Sequence, residues 1–86
     1  MRITKSKRFD KQYAKLSKNV QRQFDERLVM FVTESTNPLL RVHSLHGEFA
    51  GLQSFNVNAD VRVIFTKQDD TVVLLVAIGT HSQLYS

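Results

Sequence analysis

The longest apolar run of the chain covers residues 72–78, where seven hydrophobic residues follow one another. Such a run is typical of a β-strand that is covered on both faces. We therefore predict a central strand here, with the rest of the chain packed around it. Gly79 ends the run and His81 follows two residues later, so a titratable ring is expected at the rim of a rigid element.

Two segments of the first half have the periodicity of amphipathic helices. In the first, Phe9, Tyr13 and Leu16 recur at i, i+4 and i+7 after a serine that can cap the helix. Residues 17–19 favour a cap or turn, and a second, longer helix follows. Its apolar positions are Val20, Phe24, Leu28, Phe31 and Val32. This helix has to end before Pro38, so the pattern predicts a helical hairpin.

Short alternating segments predict the remaining strands. Residues 2–5 tolerate β structure and predict a short N-terminal strand that pairs with the sheet. Residues 54–57 and 61–66 alternate in polarity and precede the apolar run, whereas residues 39–51 have no stable period and predict a connecting loop. We predict an α+β fold in which a short N-terminal strand, an antiparallel two-helix hairpin and a three-stranded antiparallel meander form one curved sheet packed on the helices.

Length and composition limit the class of protein. With 86 residues the chain fits a single domain, predicted as residues 1–86, with a thin core. It contains no cysteine, which excludes disulfides and thiolate metal sites. No apolar segment is long enough to span a membrane and no export leader is visible, so we expect a cytoplasmic protein without a membrane partner.

Positive charge is concentrated at the start of the chain. Residues 1–22 contain eight lysines and arginines and one aspartate, whereas the remainder is net acidic. On the first helix, four cations fall away from the apolar stripe: Lys7, Arg8, Lys11 and Lys15. This helix face is a candidate docking surface for phosphate groups or for an acidic protein, and the alternative is a merely solvated face.

Candidate chemistry follows from the strand of residues 61–65. Its odd positions are large and apolar and should face the helices, so Arg62 should project from the opposite face. Asp60, His81 and the loop that carries His43 are expected at the same end of this face. Imidazoles can exchange protons near neutral pH, and a guanidinium can stabilise charge on a phosphoryl group. Together they predict metal-free RNA cleavage.

Other chemistries fit less well. His43, His46 and His81 could bind a metal ion, but the first two lie in a predicted loop, without a carboxylate at helical spacing beside them. No nucleophile elbow supports acyl transfer, and no glycine-rich loop supports nucleotide binding. We therefore predict neither a metal nor a cofactor.

Three segments carry a resemblance to a known family. They are residues 43–47 (His-Ser-Leu-His-Gly), 60–65 (Asp-Val-Arg-Val-Ile-Phe) and 79–85 (Gly-Thr-His-Ser-Gln-Leu-Tyr), in this order after a basic helical hairpin. The chain resembles the RelE/ParE toxin superfamily along essentially its whole length. The most similar type is the YafQ-like ribonuclease toxin, with its H-x-L-x-G loop and its ending G-T-H-x-x-L-aromatic.

The resemblance implies a RelE-like microbial ribonuclease fold. It also implies a cytosolic toxin that cleaves messenger RNA on the ribosome and is neutralised by an antitoxin encoded beside it. By the same resemblance, the proton-transfer positions of the family are occupied by His43, Asp60 and His81. Arg62 occupies the basic strand position, and Tyr85 occupies the position of the aromatic residue that contacts a nucleobase. We expect His81 to exchange a proton with the leaving 5′-oxygen. Either Asp60 or His43 could act as the general base, and the sequence leaves this choice open.

Two positions depart from the family pattern or vary within it. A further histidine of YafQ-type sites falls at Asn56, which can form hydrogen bonds to substrate but cannot shuttle protons. His46 falls at a variable position and is expected to be an auxiliary substrate contact. The alternative function is a binding module, such as a ParE-like gyrase inhibitor or a nucleic-acid binder. Such a module would have no reason to gather His81 with Asp60 and His43.

Overall fold

The computed structural model describes residues 1–85 of the chain. Its helices are α1 (Lys7–Ala14), α2 (Lys18–Thr33) and α3 (His81–Tyr85). Its strands are β1 (Arg2–Lys5), β2 (His43–Ser44), β3 (Gln53–Asn56), β4 (Val61–Lys67) and β5 (Val72–Thr80). Two 3₁₀ turns, Pro38–Leu40 and Gly47–Phe49, lie on either side of β2. Within residues 1–85, no helix is both long enough and apolar enough to span a bilayer.

The five strands form one mixed sheet in the order β1-β5-β4-β3-β2. β1 is parallel to β5, and every other neighbouring pair is antiparallel. The predicted α+β class, the helical hairpin and the meander of β3, β4 and β5 are confirmed. β5 has a strand on each side, as its apolar run predicts. The short strand β2 and the helix α3 are additions that the pattern did not predict.

Each helix of the hairpin begins at a serine cap, and the hairpin packs on one face of the sheet. The Phe9 amide donates to Ser6 Oγ at 2.9 Å, and the Val20 amide donates to Ser17 Oγ at 3.2 Å. These bonds satisfy amides that the first turn of each helix leaves free. We call the buried residues between the hairpin and the sheet the helix-side core: Phe9, Phe24, Phe31, Leu40, Phe55, Val57, Val61, Val63, Phe65, Val73, Leu75 and Ile78.

The opposite face of the sheet carries a smaller apolar group. A β-bulge interrupts the register between β4 and β5, where Ile64 pairs with Ala77 but Phe65 pairs with Leu75. The extra residue, Val76, therefore lies on the same side as Ala77. We call this group the cleft-side cluster: buried Ile64, Ala77 and Leu84, with partly buried Leu45, Phe49, Leu52, Val76 and Tyr85.

β1 covers only the first half of the outer edge of β5, because its pairing ends at Leu75. Beyond this point, two side chains from the start of the hairpin form hydrogen bonds with the edge of β5. Ser6 Oγ donates to the Val76 carbonyl at 2.7 Å, and the Ile78 amide donates to Gln12 Oε1 at 2.9 Å. The helix α1 is therefore fastened to β5 by polar contacts as well as by the helix-side core.

Candidate active site

A cleft of about 660 Å³ opens on the face of the sheet opposite the α1–α2 hairpin. Its lining comes from β2 and the residues on either side of it, and from β3, β4 and α3. The lining residues are Arg41, Val42, His43, Leu45, Asn56, Arg62, His81 and Tyr85. Five residues that the sequence nominated thus meet here: His43, Asn56, Arg62, His81 and Tyr85.

Arg62 lies in the floor of this cleft because of its place in the sheet. It pairs with Asn56 of β3 on one side and with Gly79 of β5 on the other. Its neighbours Val61 and Val63 belong to the helix-side core, so alternation directs Arg62 to the opposite face. This orientation was predicted and is confirmed. Arg62 Nη1 also donates to the carbonyl of Asp60 at 3.2 Å.

His43 is held by a hydrogen bond to the backbone two residues before it. Its Nδ1 lies 2.7 Å from the Arg41 carbonyl oxygen. A carbonyl can only accept, so this bond requires the proton to be on Nδ1. In the neutral ring Nε2 is then unprotonated and can accept a proton. The contact therefore determines which nitrogen of the neutral ring carries the proton.

His81 and Tyr85 are positioned by the cap of α3. Thr80 Oγ accepts from the Gln83 amide at 3.2 Å, and Gln83 Oε1 accepts from the Thr80 amide at 2.9 Å. This reciprocal pair is a capping box, and it starts the helix at His81. The pattern Thr-x-x-Gln at residues 80–83 is the sequence signal for α3.

One turn of helix brings His81 and Tyr85 to the same side, because residues four apart are neighbours on a helix surface. The centroids of their rings are 4.7 Å apart. Tyr85 also meets Phe49 edge to face, with ring centroids 5.2 Å apart. The Gly47–Phe49 turn thus supports the aromatic wall of the cleft, a role that the sequence did not suggest.

The charge of the cleft is positive. Arg41 and Arg62 both line it, together with two histidines, and no carboxylate is among its lining residues. Arg41 was not predicted. Its φ of 48° is left-handed, a conformation that few non-glycine residues adopt. No sequence signal marks this turn, but the result is a second arginine in the lining of the same cleft as Arg62, and two guanidinium groups in one cleft suit a phosphodiester.

Two predicted site residues are not brought to the cleft. Asp60 is exposed in the turn between β3 and β4 and does not line it, although its carbonyl accepts from Arg62. His46 is exposed at the start of the Gly47–Phe49 turn and is likewise outside the lining. Asn56 does line the cleft, and its buried Oδ1 has no hydrogen-bond partner among the described residues.

The basic face of α1 is separate from the cleft. Lys7, Arg8, Lys11 and Lys15 are all exposed. The helix itself packs through Phe9 on the helix-side core, which is the other face of the sheet. If both surfaces bind RNA, they must contact different parts of it. Across residues 1–85, no three His, Cys, Asp or Glu side chains are grouped as ligands for a metal ion.

Comparison with known proteins agrees with this architecture. A family model described as "Bacterial toxin of type II toxin-antitoxin system, YafQ" matches residues 1–86. No curated protein matches the chain significantly in sequence.

Solved structures match at low sequence identity. The crystal structure of YafQ from E. coli strain BL21(DE3) superposes with a TM-score of 0.85 at 19% identity and covers 100% of both chains. In the E. coli DinJ-YafQ toxin-antitoxin complex, the match has a TM-score of 0.80 at 18% identity and covers 98% of this chain and 96% of that one. The YoeB-YefM complex from Staphylococcus aureus gives 0.74 at 19% identity, with 94% and 97% covered. These matches show the same fold.

Proposed function

The chain belongs to the YafQ family of toxins of bacterial type II toxin–antitoxin systems, and from this premise we propose that it is an endoribonuclease that cleaves messenger RNA on the ribosome. One observation carries the proposal. Two histidines and two arginines line a single open cleft that has no carboxylate in its lining. This set provides proton transfer and phosphate charge stabilisation in one place.

The proposed reaction is an internal phosphoryl transfer that needs no metal. A base removes the proton of the ribose 2′-hydroxyl, and the 2′-oxygen attacks the adjacent phosphorus. The new bond between phosphorus and the 2′-oxygen forms as the bond to the 5′-oxygen breaks. An acid then protonates the leaving 5′-oxygen, which gives a cyclic phosphate and a free 5′-hydroxyl. Each proton transfer contributes about 10²–10⁴ in rate.

We assign the base to His43 and the acid to His81. The bond from His43 Nδ1 to the Arg41 carbonyl leaves Nε2 free to take a proton, which supports the first role. His81 starts a capped helix at the edge of the cleft, which supports the second. Asp60, the alternative base, would have to act from outside the cleft lining.

The remaining cleft residues bind substrate in this proposal. Arg62 and Arg41 contact the phosphate oxygens, and Asn56 forms a hydrogen bond to the nucleotide without transferring a proton. Tyr85 stacks on a base, since an aromatic ring can pack on any nucleobase. His46 stays an auxiliary contact beyond the cleft.

Docking and neutralisation use other surfaces. We propose that Lys7, Arg8, Lys11 and Lys15 on α1 bind phosphate groups of the ribosome, an attraction that salt weakens. Residues 1–86 would act as one toxin domain in the cytoplasm. Because relatives have been solved as DinJ-YafQ and YoeB-YefM complexes, we also propose that an antitoxin encoded beside this gene neutralises the protein.

The test is single-turnover cleavage of ribosome-bound message at saturating ribosomes. We expect His81→Ala to lower the rate by about 10²–10⁴. Ser82→Ala, an exposed neighbour on the same helix, is the matched control and should cleave at the wild-type rate.

The same sample is assayed for inhibition of DNA supercoiling by gyrase. Inhibition without RNA cleavage would establish the ParE-like alternative. A wild-type cleavage rate in His81→Ala would remove this residue from the mechanism.

A further inference from the structure

A second groove, of about 510 Å³, continues from the active-site cleft. The two share Arg41, Asn56 and Arg62 as lining residues. Beyond these, the second groove reaches the helix α2 at Arg27 and the 3₁₀ turn at Leu39. A ligand held at Arg62 therefore has a continuous path from one groove into the other.

The second groove has the chemistry of a phosphodiester site. Arg27, Arg41 and Arg62 contribute three guanidinium groups, and no carboxylate lies among its lining residues. Arg27 Nη1 donates to the Leu39 carbonyl at 2.9 Å, which fixes the side chain against the turn. A guanidinium has five N–H donors, so this bond leaves others for an anion. A fixed guanidinium loses less entropy on binding than a free one.

Leu39 adds an apolar surface to the same groove. Its side chain is 59% exposed, although Leu39 lies in the middle of the Pro38–Leu40 turn. Neighbouring Leu40 is fully buried in the helix-side core and holds the turn in place. Leu39 is thus presented on a rigid turn, beside three cations, where the flat face of a nucleobase can cover it.

We propose that this second groove binds the nucleotide that follows the pair joined by the scissile phosphate, with Arg27 on the phosphodiester that links it to that pair and Leu39 against its base. The inference rests on the proposed ribonuclease function, because it takes the scissile phosphate to lie at Arg62. A single-stranded RNA that is longer than the cleft has to extend beyond it. The second groove provides a path for the strand, because the two share three lining residues.

An acidic segment of a protein partner is the competing occupant, since it would also be attracted by three arginines. The continuity of the second groove with the active-site cleft favours RNA as the occupant. Three of the groove's residues already line the cleft where the RNA is cleaved, so one strand can satisfy both. A protein segment in the groove would have to compete with the substrate for Arg41 and Arg62.

The experiment measures binding of non-cleavable RNA by fluorescence anisotropy at low salt. The probes are a dinucleotide and a pentanucleotide of mixed sequence, both fully 2′-O-methylated so that no attacking hydroxyl is present. We expect the pentanucleotide to bind the wild-type protein more tightly. Arg27→Gln should weaken this binding about tenfold and lower the salt slope by about 0.7. Leu39→Ser should weaken it several-fold, and dinucleotide binding should be unchanged.

Two matched variants serve as controls. Lys67→Gln removes one positive charge from an exposed position outside both grooves. Val29→Ser removes an apolar side chain that is 63% exposed, close to the value for Leu39. Both should bind the pentanucleotide like the wild type. Thermal unfolding of all four variants verifies that each is folded, and Leu39→Ser tests the groove even if Arg27→Gln disturbs the turn.

The outcomes separate this inference from the proposed function. If Arg27→Gln and Leu39→Ser bind the pentanucleotide like their controls while the wild type cleaves message, the second groove is not an RNA site. If they weaken only the complex with the antitoxin, the groove belongs to the protein partner and the inference is overturned. If the wild-type protein neither cleaves nor binds RNA, both proposals fail.

Discussion

The two faces of the sheet are built differently. The helix-side core contains 12 buried residues, among them five phenylalanines, whereas the cleft-side cluster has only three buried residues and five partly exposed ones. The large core covers the face that has no proposed catalytic residue. The small cluster borders the cleft, and one of its members, Tyr85, is itself a lining residue.

This difference indicates that one face of the sheet mainly stabilises the fold, whereas the other mainly positions the residues of the cleft. Burial of apolar surface is the main stabilising term in a small domain, so the helix-side core should determine whether the chain folds. The cleft-side cluster contributes less, but it holds α3 and the Gly47–Phe49 turn against the sheet. Its loss should move His81 and Tyr85 without unfolding the protein.

The largest effect is expected from Phe65→Ala in the helix-side core. Phe65 is fully buried and lies 4.8 Å from Phe31 and 5.8 Å from Phe55 between ring centroids. The change should lower the free energy of unfolding by about 3–5 kcal/mol. A small domain has about 5–15 kcal/mol in total, so the change should remove a large part of its stability. Urea denaturation followed by circular dichroism measures the loss.

A smaller loss of stability and a selective loss of activity are expected for Phe49→Ala. Phe49 is partly buried and contacts Tyr85 edge to face. We expect the free energy of unfolding to fall by about 1–2 kcal/mol, with the single-turnover cleavage rate reduced because Tyr85 loses its support. Phe49→Leu keeps most of the apolar volume and should be intermediate. Equal stability losses for Phe65→Ala and Phe49→Ala would contradict the comparison.

Gly79→Ala tests the contact between β5 and α3. An added Cβ would lie 2.9 Å from Gln83 Oε1 and 3.4 Å from Gln83 Cβ, so the capping box would have to shift. We expect a cost of about 0.5–1.5 kcal/mol, because the bond from the Thr80 amide to Gln83 Oε1 would be weakened, and slower cleavage, since His81 follows the cap. In a Gln83→Ala background the closest contact is absent, and the added cost of Gly79→Ala should be smaller. A double-mutant cycle measures this coupling.

The smallest effect is expected at the turn between β4 and β5, far from the cleft. Hydrogen bonds from the amide and hydroxyl of Thr71, and from the amide of Val72, lower the pKa of Asp69 below its ordinary value of 3.8. A lowered pKa in the folded state means that the ionised carboxylate stabilises the fold above pH 3.8. This contribution is lost as the pH falls through the lowered pKa.

Asp69→Ala should therefore lower the unfolding temperature slightly at neutral pH. The difference from the wild type should shrink as the pH falls through the lowered pKa of Asp69 and vanish below it. Thermal unfolding across this pH range measures the difference, and the cleavage rate at neutral pH should be unchanged. A difference that grows at low pH would mean that Asp69 acts in some other way.

The fold was predictable where periodicity extends over many residues. The helix positions of Phe9, Phe24 and Phe31 and the long apolar run of β5 all indicated their elements. β2 was missed because two residues are too few for any period. The bulge at Val76 was missed because every residue around it is apolar, so no change of polarity marks it.

The candidate site was predictable only in part. Alternation along β4 gave the direction of Arg62, and the capping signal at Thr80 and Gln83 could have given α3. The position of Asp60 depends on a turn that Asn58 shapes, since Asn58 Oδ1 accepts from the amides of Asp60 and Val61. Arg41 depends on a left-handed backbone, and neither feature has a strong sequence signal.

The outer edge of β5 beyond β1 has a further consequence. An unpaired strand edge is a template on which a second chain can add a strand, and this leads to aggregation. Ser6, Gln12 and Gln83 bind Val76, Ile78 and Thr80 of this edge in place of a neighbouring strand. The same side chains that hold α1 and α3 against the sheet therefore also occupy backbone groups through which this part of β5 could pair with a strand of a second molecule.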